Sequence, residues 1–184
     1  MPFVTCNIPG LLIFEPAVFT DSRGYFFESY NKELFKQSGI ECDFVQDNQS
    51  KSAHGVIRGL HYQLNPHAQV KLVRVLEGSV LDVAVDIRRD SPTFGQYFSI
   101  ELSSANKRQL YIPAGFAHGF SVLSNEAVVC YKCNAYYNKS SEAGIRFNDE
   151  DLQINWKVSA GEAIVSEKDK SLPSFKDCTN NFYY

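Results

Sequence analysis

Five polar side chains stand in segments that otherwise read as buried strands. Arg58 and His61 fall three positions apart in the run Val56 to Gln63, VIRGLHYQ. Lys71 alternates with Val73 and Val75, so a regular strand would bury its ammonium group, and a buried lysine without a partner is costly. His118 follows the Pro113 and Gly115 turn at the head of an apolar run, and Tyr131 interrupts AVVCYK. Lys168 and Asp169 lie in a polar turn, SEKDKSLP, near the C-terminus. Taken singly, each has an ordinary explanation: a surface ion pair for Arg58, a core imidazole satisfied by backbone for His61, a solvated loop for the last two. Taken together, a base, a carboxylate, a cation and a phenol are the groups that proton abstraction next to a carbonyl requires. His61 would be the general base, Asp169 would hold its imidazole in one tautomer, Lys71 would stabilise the enolate oxygen and Tyr131 would donate a proton. One obstacle is parity. Arg58 and His61 fall on opposite faces of a regular strand, so sharing a pocket requires a bulge or twist at Gly59, or an Arg58 used at a subunit boundary.

The elements that must carry these residues are mostly strands. From Val70 onward, VKLVRVLEG and SVLDVAVDI are joined by Glu77-Gly78 and alternate with period two, which predicts an antiparallel hairpin. In the second run Leu81, Val83, Val85 and Ile87 share one face, and Asp82, Ala84 and Asp86 the other. Further strands are predicted at QYFSIEL, RQLYIP, HGFSVLS and AVVCYKCNAYY, each bounded by Gly, Pro, Asn or Ser. Their even spacing predicts an all-β sandwich or barrel. One short helix is expected in YNKELFKQSG, capped by Asn31 and stopped at Gly39. From about Asn138 the alternation is lost, and loops and turns packed against the barrel are expected.

The composition agrees. A chain of 184 residues, 44% hydrophobic, fits one domain over 1–184, and an aromatic content of 14% favours β structure. A net charge of −3 and no basic run longer than Arg88-Arg89 argue against a nucleic acid partner. No apolar run nears the ~18 residues that span a bilayer, and no leader precedes the first strand, so a soluble cytoplasmic protein is expected. The five cysteines are read as reduced thiols, since Cys130 and Cys133 have no second ligand pair nearby.

RGLHYQ, QVKLVRV, DVAVDIRRDSPTFGQ, IPAGFAHGF, CYKCNAYY, GIRFNDEDLQINW and SEKD, in this order, resemble the dTDP-4-dehydrorhamnose 3,5-epimerases. The likeness begins at VFTDSRGYFFESYN and FVQDNQSKS and runs nearly end to end. It implies a cupin-type β jelly roll with short helices, a homodimer that exchanges N-terminal strands, and an epimerase without metal or cofactor. The implied substrate is dTDP-4-dehydro-6-deoxy-α-D-glucose, inverted at C3 and C5 on the way to L-rhamnose. His61 is then similar to the family's proton acceptor, Tyr131 to its donor, Asp169 to the aspartate beside the histidine and Lys71 to the lysine near the C4 oxygen. Around the nucleotide sugar the resemblance implies Arg23, Glu28, Gln46, Asp47, Asn48, Arg58, His118, Glu142 and Lys168, with Arg23 and Glu28 reaching in from the neighbouring chain. Two departures stand out: Trp156 is followed by Lys157 where proline is expected, and Cys133 stands where threonine is expected.

Three rivals make different expectations. A single-site 3- or 5-epimerase would share the base and the lysine, though retention of Tyr131 favours double inversion. A metal cupin would draw on His61, His67, Glu77 and His118, but imidazoles six apart on one strand stand ~20 Å apart. A non-catalytic nucleotide-sugar binder would leave Tyr131 and the His61/Asp169 pair without a use.

Overall fold

The computed structural model describes residues 2–184. Two six-stranded layers carry the chain. The first sheet runs, in spatial order, β1 (Phe3–Thr5), β2 (Leu12–Phe14), β10 (Gln109–Ile112), β7 (Lys71–Glu77), β12 (Glu126–Cys133) and β5 (Gln46–Ala53). The second runs β13 (Glu142–Gly144), β6 (Val56–Gln63), β11 (Phe116–Val122), β8 (Ser79–Asp86) and β9 (Tyr97–Ser103), with β14 (Ile164–Val165) parallel to β6. A separate hairpin, β3 (Val18–Asp21) and β4 (Gly24–Phe27), stands off both sheets and exposes Phe19, Tyr25 and Phe26. This is the all-β, cupin-like jelly roll expected from the sequence.

Between the sheets lies one apolar layer in which Val73, Val75 and Val129 of the first meet Val80, Ala84, Phe120 and Val122 of the second. A second layer covers the back of the second sheet. There Leu81, Val83 and Val85 of β8 and Ile57, Leu60 and Tyr62 of β6 are sealed by Ile145, Leu152, Trp156 and Phe182 from the irregular C-terminal third. Trp156 is tied in at both ends, its indole N–H donating to the Phe147 carbonyl and its own carbonyl accepting from Ser121 Oγ. β8 is therefore buried on both faces.

The run from Lys71 to Asp86 does not form the expected hairpin. β7 pairs with β10 and β12 in one sheet, and β8 pairs with β11 and β9 in the other. Gly78 turns a corner between the layers instead, at φ 75° and so tightly that a Cβ there would lie 2.1 Å from the Glu126 carbonyl oxygen. The period-two pattern was real; the corner lets both strands turn one face into the shared interior.

The short helix is as expected. Asn31 Oδ1 accepts from Glu33 N and Leu34 N at the head of α1 (Lys32–Gln37), and Gly39 ends it at φ 81°. Phe35 is the buried side chain of α1, packed on Phe3, Phe14 and Tyr30 on the outer face of the first sheet. A second one-turn helix, α2 (Glu167–Lys170), lies against β6 and brings the C-terminal region to the site.

Candidate active site

The parity obstacle is removed at Gly59. His118 pairs with His61 and Phe120 with Arg58, so three steps along β6 match two along β11, a one-residue bulge. Gly59 sits there at φ 128°, and the Gly59–Leu60 peptide is cis. A Cβ on Gly59 would come within 2.6 Å of Gly119 Cα, so the two strands approach closely because neither carries a side chain at that point. Beyond the bulge Leu60 and Tyr62 keep to the apolar back of the sheet, while Arg58, His61 and Gln63 line a cavity of about 210 Å³ between the sheets.

His61 Nε2 lies 2.8 Å from Asp169 Oδ1. A carboxylate can only accept, so Nε2 carries the proton and Nδ1 is left with a free lone pair. Asp169 is 4% exposed. Its Oδ2 accepts from Gly59 N at 3.2 Å, and its own N–H donates to the capping Ser166 Oγ at the head of α2. Burial alone would raise its pKa, but the hydrogen bonds from His61, Gly59 and Ser166 outweigh it and hold the carboxyl below its usual range.

Lys71 and Tyr131 come from the opposite sheet. Lys71 Nζ reaches the His61 carbonyl at 3.4 Å and stands 5.9 Å from the Tyr131 ring centre. It forms no ion pair with an acidic side chain among the described residues, and burial depresses its pKa, only partly offset by Cys133 and Asp82. Burial likewise raises the pKa of the Tyr131 hydroxyl, so it keeps its proton at neutral pH.

His118 is buried, and its Nε2 is 3.0 Å and 3.1 Å from the two carboxylate oxygens of Asp82, which is wholly buried on β8. Sequence reading missed Asp82 as a partner; a carboxylate in the middle of an apolar strand was the available signal. It also missed Gln63 and Tyr137, which line the cavity. At the mouth Tyr137 Oη donates to Glu142 Oε2 at 3.0 Å, Lys168 Nζ reaches Glu142 Oε1 at 2.6 Å, and Arg58 Nε donates to Ser52 Oγ.

Other expected binding residues are placed differently. On β5 Gln46, Asn48 and Ser50 share the inner face: Gln46 Nε2 donates to Asn48 Oδ1, Asn48 Nδ2 to Cys133 Sγ, and Ser50 lines the cavity. Asp47 points the other way, paired with Lys132 beside an outer cleft that also contains Arg74 and Gln109, because successive strand side chains alternate. Arg23 is at the tip of the β3–β4 hairpin, paired with Asp21 and largely exposed, and Glu28 just beyond accepts from Asn31. Neither lines the cavity of its own chain. His67 and Glu77 also lie off it, and no group of three or more His, Cys, Asp or Glu among the described residues is arranged to hold a metal ion. All five cysteines are free.

The fold and site define a cupin-like jelly roll whose inter-sheet cavity carries an oriented histidine facing a lysine and a phenol. Residues 5–177 match the family model described as dTDP-4-dehydrorhamnose 3,5-epimerase, and the chain belongs to that family. A dTDP-4-dehydrorhamnose 3,5-epimerase from Shigella flexneri is 53% identical over 178 residues, covering 96% of this chain and 97% of that one. The crystal structure of a dTDP-4-dehydrorhamnose 3,5-epimerase from Elizabethkingia anophelis NUHP1 superposes with a TM-score of 0.91 at 53% identity, over 95% of this chain and 96% of that one. A dTDP-6-deoxy-D-glucose-3,5-epimerase from Legionella pneumophila, solved with dTDP-4-keto-L-rhamnose, gives a TM-score of 0.91 at 46% identity, over 95% and 93%.

Proposed function

We propose that this chain inverts C3 and C5 of dTDP-4-dehydro-6-deoxy-α-D-glucose as a dTDP-4-dehydrorhamnose 3,5-epimerase. One observation carries the mechanism: His61 and Tyr131 enter the same cavity from opposite sheets. The C4 ketone acidifies the hydrogens on both neighbouring carbons. The free lone pair of His61 Nδ1 takes a proton from one face, and the buried Asp169 carboxylate stabilises the imidazolium that forms. The Lys71 ammonium, with no carboxylate pairing it among the described residues, meets the charge developing on the C4 oxygen. Tyr131 returns a proton from the opposite face, which inverts the carbon. One proton leaves and one returns, so substrate and product are isomers and no electron is transferred. The ring must shift for the second carbon, since a single base serves both.

Arg58, His118, Glu142, Lys168, Gln46 and Asn48 then surround the nucleotide sugar, with Arg58 at the diphosphate. Arg23 and Glu28 do not line the cavity of their own chain, so their contribution comes across a homodimer. The exposed aromatic residues of that hairpin and the unpaired edge of β5 support such an association. The free thiols suit a reducing cytoplasm.

Incubation with the 4-keto sugar nucleotide in D₂O tests the reading. Deuterium is expected at both C3 and C5. Label at one carbon alone would make the chain a single-site epimerase, and no label would leave a binding protein.

A further inference from the structure

Between the end of β12 and the short 3-10 turn at Lys139–Ser141, residues 134–138 form no ladder, and glutamine amides take up their backbone groups. Gln69 Nε2 donates to the Ala135 carbonyl at 2.8 Å, and Gln46 Oε1 accepts from Tyr137 N at 3.0 Å. Gln63 does more. Its Nε2 donates to the His67 carbonyl at 2.7 Å and to the Tyr136 carbonyl at 3.3 Å, and its Oε1 accepts from Asn138 N at 2.7 Å. One side chain, 4% exposed, thus grips the backbone immediately before and immediately after Tyr137. It is also the register partner of Glu142, the residue to which the Tyr137 hydroxyl donates.

Tyr137 itself is 55% exposed, although its backbone and hydroxyl are fixed. An aromatic side chain held at both ends with its ring in solvent, at the open end of a cavity, presents a flat surface to a ligand. Given the proposed function, the reacting sugar lies inward with His61 and Lys71, and the nucleoside lies outward where Tyr137 stands. A base stacked on an aromatic ring is sensitive to where that ring is held.

We infer that Gln63 is a positioning residue for substrate binding: through the Tyr136 carbonyl and the Asn138 N–H it sets Tyr137 against the nucleoside end of the substrate. This rests on the nucleotide-sugar reading above. Gln63 lies two residues from His61 on the same face, so one strand would fix both the base and the platform that delivers the sugar to it.

The test compares Gln63→Leu, Tyr137→Ala and the double variant by steady-state kinetics and by calorimetric titration with dTDP. Gln63→Leu is expected to raise both KM and the dTDP Kd about tenfold while kcat changes less than about threefold, with deuterium still entering C3 and C5. In the Tyr137→Ala background it is expected to add less than about threefold, because the two act through one ring. An unchanged KM, a loss confined to kcat, or full additivity would overturn the role. If Gln63→Leu does not fold, Gln63→Glu carries the same comparison: one carboxylate oxygen still accepts from Asn138 while the other opposes two carbonyls. Wild-type protein that neither binds dTDP nor turns over would overturn the functional reading itself, whereas wild-type turnover with an unaltered Gln63 variant would remove only Gln63.

Discussion

His61 Nε2 and Asp169 Oδ1 are 2.8 Å apart although 108 positions separate them in the chain. Because Asp169 also accepts from Gly59 N, its carboxylate fixes imidazole and strand together. Asp169→Asn changes the chemistry more than the shape. If the remaining oxygen keeps Gly59, the amide N–H₂ faces Nε2 and drives the proton to Nδ1, leaving no base. A fall in kcat of about 10²–10⁴ is expected with the dTDP Kd within about threefold. Activity close to wild type would mean that Asp169 does not set the tautomer.

Lys71 is a buried cation that costs the fold stability. Its folded pKa is depressed, so in the folded state the ammonium is held less tightly than in the unfolded chain. It therefore costs stability at neutral pH, and the cost fades as pH rises through the depressed value toward that of an ordinary lysine. Lys71→Met should raise stability at pH 7 by about 1–2 kcal/mol and lower kcat about 10²–10³-fold. Thermal melts should show the gain shrinking toward pH 10. A melting temperature at or below wild type at pH 7 would show that the ammonium is well compensated. Asp169 has the opposite sign: its depressed carboxyl stabilises the fold above the ordinary carboxylate range, and that contribution is lost as pH falls through the folded value.

Tyr131→Phe separates proton removal from proton return. With His61 and Lys71 intact, deuterium should still wash into substrate from D₂O, but without inversion, and epimerised product should fall about 100-fold. Mass and NMR analysis of recovered sugar nucleotide reads both quantities. Loss of wash-in in parallel with inversion would place Tyr131 in the abstraction step instead.

Much of this site could be read along the chain, because its members break local patterns. His61, Lys71 and Tyr131 interrupt apolar strands, and Asn31 and Gly39 bracket a helix with recognisable end chemistry. Asp82 escaped because an alternating aspartate reads as solvent-facing when only one face of a strand is assumed buried. β8 is buried on both faces: residues beyond 144 cover Leu81, Val83 and Val85, while Asp82 lies with Val80 and Ala84 on the face that meets the other sheet, and no local pattern reveals that second burial. The Glu77-Gly78 turn reads as a hairpin for a similar reason: turn residues announce a reversal, but not whether the next strand remains in the same sheet. The resemblance implies Asp47 beside Gln46 and Asn48, whereas alternation on β5 turns it outward to Lys132.

Gly59 is where the sequence left two options open and the fold chose one. Its backbone at φ 128° lies against Gly119, and an added Cβ would meet Gly119 Cα at 2.6 Å and the His118 carbonyl oxygen at 2.9 Å, both backbone atoms that cannot swing aside. Gly59→Ala must therefore either strain φ or push β6 away from β11, and both routes disturb the bulge that places Arg58 and His61 on one side. A loss of about 2–4 kcal/mol is expected in denaturant melts, together with loss of turnover. Gly161→Ala, where an added Cβ meets nothing within 4 Å, should stay within about 0.5 kcal/mol of wild type and keep activity. Gly59→Ala that melts and turns over like Gly161→Ala would mean that the close approach of the two strands does not hold the site.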